Sequence, residues 1–326
     1  MEFMPDFPVL YPKTVEEAIG FFNNNKDVRY VAGGTDLVVN IRRGIVAPGT
    51  LIDLNQIEGM SAIESDGKDG YRIGAGVTLT NLIDHKDIAR DYTAITQAAG
   101  EIAAATHRQV ATVGGNLCLD TRCIFYNQSE WWRSANNYCL KNQGETCHVA
   151  PTGEECFAVF SGDLAPALLV FGARVEITGP GGTRTVALND IYNNDGRAHL
   201  LLEDGEILVA VLLPNANALV SGYAKARVRD CIDFPLAGSA IALKKGKDGL
   251  EDIRLALTGV KPCPVLIEGT DALQGKELDE DALKYLTSLL PKQIKPMTST
   301  FTPPGYRRKV ASNLSRSLAA RLYELA

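Results

Sequence analysis

The sequence lacks the features that mark membrane, secreted and nucleic-acid-binding proteins. No stretch approaches the ~18 consecutive apolar residues that a membrane-spanning helix needs. The N-terminal segment carries acids and prolines where a secretory signal would have a basic start and an apolar run. A cationic excess is also missing, because 33 Lys and Arg face 39 Asp and Glu, which gives a net charge of −6. We therefore expect a cytoplasmic protein without a membrane or nucleic-acid partner.

Cysteine is scarce, with seven in 326 residues, and the odd number fits a disulfide framework poorly. Four of the seven nevertheless fall in one polar stretch that reads as neither helix nor strand: Cys123, Cys139, Cys147 and Cys156. In a reducing cytosol, clustered cysteines favour metal ligation over disulfides. The stretch therefore predicts a metal centre.

The length predicts two or three packing units rather than one domain. The chain begins with a β-α-β pattern, in which Thr14 and Glu17 are suited to cap the helix of "TVEEAIGFF". "YTAITQAAGEIAAATHRQV" predicts one long alanine-rich helix, and "ATVGGNL" predicts a strand that ends in a glycine turn. A polar "PNANA" segment marks a boundary, and paired strands and two helices follow it.

Two glycine segments follow predicted strands, at Ala32–Asp36 ("AGGTD") and Thr112–Asn116 ("TVGGN"). Consecutive glycines can point successive N–H groups into one concavity, which binds phosphate without a side-chain charge. Two such concavities would suit the two phosphates of a dinucleotide. Either segment alone is more simply an ordinary turn, because neither matches the dinucleotide fingerprint G-x-G-x-x-G or the P-loop.

The order of the motifs is more specific than any one of them. "VAGGTDL", "IGAGVTL", "HRQVATVGGNL", "GDLAP", "EILVAVLLP" and "YAKARVRDCIDFP" follow one another along the chain. This order resembles the FAD-binding subunit of the molybdenum hydroxylase family, which includes xanthine dehydrogenase and carbon monoxide dehydrogenase. The resemblance covers nearly the whole chain.

The resemblance implies an α+β protein. It would combine the two-subdomain FAD-binding fold of the vanillyl-alcohol oxidase and p-cresol methylhydroxylase type with a C-terminal α+β domain. The implied boundaries are 1–57 for FAD-binding subdomain 1, 58–217 for subdomain 2 with an iron–sulfur insertion at 119–160, and 218–326 for the C-terminal domain.

The resemblance also implies FAD contacts, but no catalytic residue in this chain. One set would surround the pyrophosphate: Tyr30, Val31, Ala32, Gly33, Gly34, Thr35, Asp36 and Leu37. A second set would form the other cradle: Thr112, Val113, Gly114, Gly115 and Asn116. Ile102 would pack on the flavin side, Asp163 would bind the ribityl or adenosine end, and Leu208 and Lys225 would approach the isoalloxazine. A cation such as Lys225 would stabilise an anionic reduced flavin, although a strand lysine is more often solvated.

The spacing of the four cysteines, C-x15-C-x7-C-x8-C, matches neither the ferredoxin run nor a zinc ribbon. Their context is more informative, because "GGNL" leads almost directly to the "DLAP"-like motif in the family, whereas residues 118–162 separate them here. Such an insertion lacks an evident core of its own, and metal–thiolate bonds would fold it. His148 could replace one thiolate, Cys118 is the nearest other thiol, and Trp131 and Trp132 would shield the centre or contact a partner.

Zinc and a [4Fe–4S] cluster both take four thiolates, and a cluster suits a flavin neighbour because it carries electrons. Within the family, an inserted cysteine loop with an extra [4Fe–4S] cluster resembles the 4-hydroxybenzoyl-CoA reductases. That resemblance implies an electron-transfer subunit with a [2Fe–2S] small subunit and a molybdopterin large subunit as partners. Electrons would pass from a ferredoxin-like donor to molybdenum for reductive dehydroxylation.

Two alternatives remain open at the level of sequence. One is the FAD subunit of a hydroxylase that passes electrons outward to NAD and holds a structural zinc in the insertion. The other is a non-redox nucleotide-binding module whose zinc-stapled loop docks on a partner.

Overall fold

The N-terminal part of the chain forms a small parallel sheet flanked by helices. The computed structural model describes residues 4–67 and 70–326. The first elements are β1 (Val9–Leu10), α1 (Val15–Asn24), β2 (Val28–Val31), α2 (Leu37–Arg42) and β3 (Thr50–Asp53). The strands are parallel in the order β1-β3-β2, as the β-α-β pattern predicted. Thr14 caps α1 by accepting a hydrogen bond from the Glu17 N–H at 3.2 Å.

The second sheet is antiparallel and has five strands in the order β4-β5-β8-β6-β7. The strands are β4 (Ile63–Ser65), β5 (Tyr71–Gly74), β6 (Arg174–Gly179), β7 (Gly182–Ala187) and β8 (Ile207–Leu213). The helices of this part are α3 (Leu79–Asp84), α4 (Lys86–Asp91), α5 (Thr93–Gly100), α6 (Ala105–Arg108), α7 (Val113–Leu117), α8 (Glu130–Ala135) and α9 (Leu164–Leu169). The uninterrupted apolar run of β8 places it at the centre of the sheet, where nearly every residue is buried.

The C-terminal part is an antiparallel sheet covered by helices. It contains β9 (Val220–Ala226), β10 (Ala237–Gly246), β11 (Gly249–Thr258), β12 (Val265–Leu266), α10 (Glu280–Ser288), α11 (Leu290–Gln293) and α12 (Pro304–Leu325). Alternation along β10 gives the sheet two apolar faces. Ala240 and Ala242 belong to the core shared with the N-terminal part of the chain, whereas Ile241 and Leu243 belong to the core beneath α12. Small side chains on one face therefore let α5 and α9 pack closely against this sheet.

The predicted alanine-rich helix is wrong at its centre. Helix α5 ends at Gly100, Ala103 has a left-handed φ of 47°, and α6 begins at Ala105. The carbonyl of Glu101 accepts hydrogen bonds from Lys225 Nζ at 3.0 Å and from an Arg227 guanidinium at 3.2 Å. Two cations, one in β9 and one just after it, thus satisfy a carbonyl that the broken helix exposes, and this tertiary contact outweighs the helix propensity of alanine.

One other local prediction differs from the structure. The segment "ATVGGNL" is predicted as a strand that ends in a glycine turn, but it forms α7, with Thr112 as its N-cap. The segment "LAPALL" forms α9. Helix α3 is capped by Thr78, whose side chain accepts from the Asn81 N–H at 3.2 Å.

None of the helices in the described ranges 4–67 and 70–326 has the length and apolar character needed to cross a bilayer.

Candidate functional site: the glycine segments and the cysteine pocket

The glycine loop Ala32–Asp36 connects β2 to α2. Gly34 has φ of 69°, which favours glycine, and a Cβ on Gly33 would lie 2.0 Å from the carbonyl oxygen of Val110. That close approach places the loop directly against the residues that precede Thr112. The structure therefore brings together the two glycine segments that the sequence singled out.

The backbone of this loop retains free hydrogen-bond donors. Among the described residues, the N–H groups of Gly33, Gly34 and Thr35 have no protein acceptor. The loop is half-buried, so these donors remain accessible to a ligand. Successive unpaired N–H groups beside a positive-φ glycine are the arrangement that binds a phosphate.

The residues flanking the loop are held by the fold. The Tyr30 hydroxyl donates to the Gly205 carbonyl at 3.0 Å, and its ring stacks on Phe22 at 5.2 Å between centroids. Val31 ends β2 and Leu37 begins α2. Burial raises the pKa of the Tyr30 phenol well above its ordinary value, so this hydroxyl stays protonated. The Tyr30 side chain thus fixes the strand that carries the loop.

The second segment presents its backbone differently from the first. The N–H groups of Val113 and Gly114 donate to the carbonyls of Val77 and Ala75 at 2.9 and 2.8 Å. The Gly115 N–H donates to Thr112 Oγ1 at 3.1 Å, and the Asn116 N–H donates to the Thr112 carbonyl at 3.0 Å. These donors are used inside the protein, so a phosphate contact from this segment stays a prediction.

Asp163, expected at the ribityl or adenosine end of FAD, and Lys225, expected near the isoalloxazine, are in direct contact. Lys225 Nζ lies 3.0 Å from Asp163 Oδ2, and the two side chains are 1% and 4% exposed. The Tyr223 hydroxyl donates to Asp163 Oδ1 at 2.5 Å. Burial raises the pKa of Asp163, while the Lys225 ammonium acts in the opposite sense. The lysine is therefore a buried partner of a carboxylate and not a solvated strand residue.

Ile102 and Leu208 both lie in the main core of the chain. Ile102 is half-buried in the bend between α5 and α6, next to Glu101, whose carbonyl Lys225 contacts. Leu208 is buried in β8, and the adjacent Val209 carbonyl accepts from the Ala75 N–H at 2.8 Å. Both belong to the main core, and their contact with a flavin stays a prediction.

The four cysteines of the insertion line a single pocket. Their exposed fractions are 4% to 8%. The remaining walls are Phe125, Tyr126, Leu140, Lys141, His148, Val149 and Ala158. Within residues 4–67 and 70–326, no three His, Cys, Asp or Glu side chains converge closely enough to hold one metal ion. The four cysteines thus share one pocket but do not form a three-ligand site for a single ion.

The chemistry of this pocket suits a centre bound by thiolates. Burial raises the pKa of Cys123 to about 11 and that of Cys156 to about 12, so the isolated thiols would stay protonated at neutral pH. A positively charged metal centre offsets that penalty, because thiolates rather than thiols are the ligands. His148 lines the pocket, but its Nε2 lies 2.5 Å from the Tyr138 carbonyl. The four cysteines therefore supply the donor chemistry of a four-thiolate centre, and a metal bound among them stays a prediction.

The insertion is anchored to other parts of the chain. Three of its four cysteines, Cys123, Cys139 and Cys156, cluster with Ile45, Tyr126 and Ala158. An Arg133 guanidinium donates to the Gly44 carbonyl at 2.7 Å, just beyond α2. The insertion thus sits beside the helix that follows the glycine loop.

The two tryptophans of the insertion have different surroundings. Trp131 is 78% exposed and does not cover the pocket. The ring of Trp132 lies 6.3 Å from that of Phe125, which does line it. Trp132 is therefore the tryptophan that supports the pocket wall.

Three residues of this region escaped the sequence analysis: Arg122, Lys141 and Tyr223. Tyr223 could have been found, because it lies two positions from Lys225 and so shares its face of β9. Arg122 forms an ion pair with Asp36, and Lys141 Nζ binds Asp120 Oδ1 at 2.6 Å at the edge of the cysteine pocket. Both contacts depend on the tertiary packing of the insertion, which local sequence patterns do not predict.

Comparison with known proteins agrees with the geometry. Residues 5–216 match the family described as the FAD binding domain in molybdopterin dehydrogenase. Residues 221–322 match the CO dehydrogenase flavoprotein C-terminal domain. The chain also superimposes on a solved structure of Cu,Mo-CO dehydrogenase with a TM-score of 0.80 and 25% identity, over 99% of this chain and 100% of the other.

Curated relatives extend the similarity along the chain. The aldehyde oxidoreductase FAD-binding subunit PaoB of Escherichia coli (strain K12) is 33% identical over 300 residues, which cover 89% of this chain and 92% of that protein. The carbon monoxide dehydrogenase medium chain of Afipia carboxidovorans is 27% identical over 314 residues, which cover 95% and 94%. The expected α+β fold is confirmed, and this chain belongs to the FAD-binding subunits of the molybdenum hydroxylase family.

Proposed function

We propose that this chain is the electron-transfer flavoprotein subunit of a 4-hydroxybenzoyl-CoA reductase-like molybdenum enzyme. In this proposal it binds FAD and one [4Fe–4S] cluster and relays electrons from a ferredoxin-like donor toward [2Fe–2S] and molybdenum on partner subunits. The observation that carries the proposal is the pocket lined by Cys123, Cys139, Cys147 and Cys156.

The residues of this chain would hold the two cofactors in neighbouring sites. FAD exchanges one or two electrons and a [4Fe–4S] cluster exchanges one, so together they supply the redox chemistry. The free N–H groups of Gly33, Gly34 and Thr35 would receive the FAD pyrophosphate. The buried Lys225 ammonium would place a fixed positive charge near the flavin, with Asp163 holding its position.

The arrangement of the cysteines favours a cluster over zinc. A zinc ion with four thiolates at about 2.3 Å would hold the sulfur atoms about 3.8 Å from one another. A [4Fe–4S] cluster binds each thiolate at a different iron and so takes sulfur atoms that surround a pocket. The four side chains do surround one pocket, and its walls are mostly apolar, which keeps water from the centre.

Membership of the family supports partner subunits, whereas the substrate is part of the proposal alone. The relatives are named as FAD-binding subunits or medium chains, which supports further subunits for this chain as well. The proposed substrate site lies on the molybdenum subunit, where the ring hydroxyl of 4-hydroxybenzoyl-CoA would leave as water. That reaction consumes two electrons and two protons per benzoyl-CoA formed.

The metal and flavin content of the purified chain tests the proposal. Anaerobically purified protein should contain FAD and roughly four irons per chain, with a broad absorbance shoulder beside the flavin bands. Cys139→Ser should lose the iron and retain FAD, because Cys139 lies in the pocket and not in the glycine loop. Cys231→Ser is the matched control, since Cys231 is exposed and lies outside the insertion. Loss of FAD together with iron would refute the separation of the two sites.

The direction of electron flow needs the assembled complex. Reduced ferredoxin should reduce the wild-type complex and convert 4-hydroxybenzoyl-CoA to benzoyl-CoA, and the Cys139→Ser complex should lose this activity. Zinc in place of iron, with a flavin that exchanges electrons with NAD, would instead support the outward hydroxylase alternative.

A further inference from the structure

Asp36 places a carboxylate at the end of a loop that is built to receive phosphate. The free N–H groups of Gly33, Gly34 and Thr35 precede it directly in sequence. A carboxylate beside a bound diphosphate is repelled unless a cation neutralises it, because like charges at short range disfavour each other. The loop therefore needs a positive charge close to Asp36.

Arg122 provides that charge. One of its guanidinium nitrogens, Nη2, forms an ion pair with Asp36 Oδ1, while Asp36 Oδ2 accepts from Asn40 Nδ2 at 3.1 Å. The guanidinium also lies over the Phe234 ring, 5.1 Å from its centroid. Burial lowers the pKa of Arg122 to about 10, so the side chain keeps its charge at neutral pH.

The other terminal nitrogen of Arg122, Nη1, can donate a further hydrogen bond. Nη1 is buried, and within the described part of the chain it has no hydrogen-bond partner. A buried donor without an acceptor is costly, and native proteins rarely leave one unpaired. An acceptor supplied by a ligand at the glycine loop would remove that cost.

The backbone holds Arg122 at the base of the insertion. Its N–H donates to the Val159 carbonyl and its carbonyl accepts from the Val159 N–H, both at 2.7 Å. Cys123 follows directly, so the residue that reaches the glycine loop is attached to the first ligand of the cysteine pocket. The insertion and the loop thus share one charged contact.

We infer that Arg122 is a diphosphate-binding residue that the insertion contributes to the FAD site. It neutralises Asp36 and donates from Nη1 to an oxygen of the FAD diphosphate. This inference rests on the proposed placement of that diphosphate at Ala32–Asp36. Arg122 therefore acts electrostatically on FAD binding, and not only as a structural contact at the base of the insertion.

FAD affinity of the full chain separates the two roles. The deflavinated protein is titrated with FAD for the wild type, Arg122→Gln, Arg122→Lys and the double variant Arg122→Gln with Asp36→Asn. Arg122→Gln should weaken FAD binding roughly ten- to hundredfold, as expected for loss of a hydrogen bond between charged groups. Arg122→Lys should recover part of this loss, and the double variant should bind FAD more tightly than Arg122→Gln alone.

Arg43→Gln is the matched structural control. Arg43 also ties the insertion to the first part of the chain, through a 2.8 Å hydrogen bond to the Asn127 carbonyl, but it does not contact Asp36. It should leave FAD affinity unchanged. ADP, which carries the diphosphate, should compete with FAD less well in Arg122→Gln than in the wild type, and adenosine should compete equally in both.

Two results would overturn the inference. One is wild-type FAD affinity in Arg122→Gln, and the other is a double variant that binds FAD no better than the single one. Iron content is measured in the same samples and should not change. If the wild type contains no iron, the proposed cluster is wrong. If only the affinities for FAD and ADP fail to change as expected, the role of Arg122 is wrong.

Discussion

The buried pair formed by Asp163 and Lys225 gives the sharpest prediction about stability. Lys225→Met keeps much of the volume of the side chain and removes its charge, which leaves the Asp163 carboxylate with only the Tyr223 hydroxyl as a partner. Breaking a buried ion pair by removing one member costs roughly 3–5 kcal/mol. With about 2.1 cal/mol/K of unfolding entropy per residue, the 326-residue chain should then melt roughly 4–7 °C lower at pH 7.

The effect should depend on pH in a defined direction. Burial already raises the pKa of Asp163 above its ordinary value of 3.8, and loss of the ammonium raises it further. Between pH 3.8 and the raised pKa, the folded state binds a proton that the unfolded state does not, so stability falls as the pH rises. The deficit of Lys225→Met should therefore be small near pH 4 and full at pH 7.

Thermal unfolding of the flavin-free chain from pH 4 to pH 8 measures both effects. Lys244→Met is the matched control, because Lys244 pairs with Glu251 at 2.7 Å on the surface, where both side chains are about half exposed. That pair should contribute at most about 1 kcal/mol. If Lys225→Met melts no lower than Lys244→Met, or if its deficit is independent of pH, the buried pair does not stabilise the fold as argued.

Three further predictions test the packing of the site. Gly33→Ala would place a Cβ 2.0 Å from a backbone carbonyl oxygen and should cost about 1–3 kcal/mol, whereas Gly100→Ala meets open space and should be neutral or slightly stabilising in thermal melts. Burial lowers the pKa of His199 to about 4, so chain stability should fall by up to about 3 kcal/mol as the pH drops from 6.5 to 4. Urea unfolding should show that His199→Gln removes this contribution, and an unchanged pH profile would contradict it. Tyr223→Phe deletes the 2.5 Å hydrogen bond to Asp163 and should cost roughly 1.5–3 kcal/mol in the same assay. A loss below about 0.5 kcal/mol would mean that the hydroxyl does not stabilise the fold.

Much of the fold follows from local sequence patterns. Turn glycines, the apolar run of β8 and the alternation along β10 each specify their element without help from distant residues. The failures occur where tertiary contacts outweigh propensity. The break at Ala103 depends on Lys225 and Arg227, which lie more than a hundred positions away in sequence. The helical start of "VGGNL" depends on the Thr112 cap and on the carbonyls of the preceding turn.

Sequence patterns singled out the glycine loop, Asp163, Lys225 and the four cysteines, and the roles of these residues in binding stay predictions. The structure adds that the four cysteines line one pocket. Sequence could not show that Asp163 and Lys225 bind each other, because they lie on separate elements with no common period. It also could not show that a residue at the base of the insertion reaches the glycine loop.

The pair formed by Arg122 and Asp36 bears on how the insertion could be excised or transplanted. A shortened chain that joined residue 118 directly to residue 161 would discard Arg122 but keep Asp36, and the glycine loop would be left with an unpaired negative charge. Conversely, a cysteine loop grafted into a relative would arrive with a surplus cation unless that host has an acid at the matching position. The insertion and Asp36 should therefore be removed or transferred together.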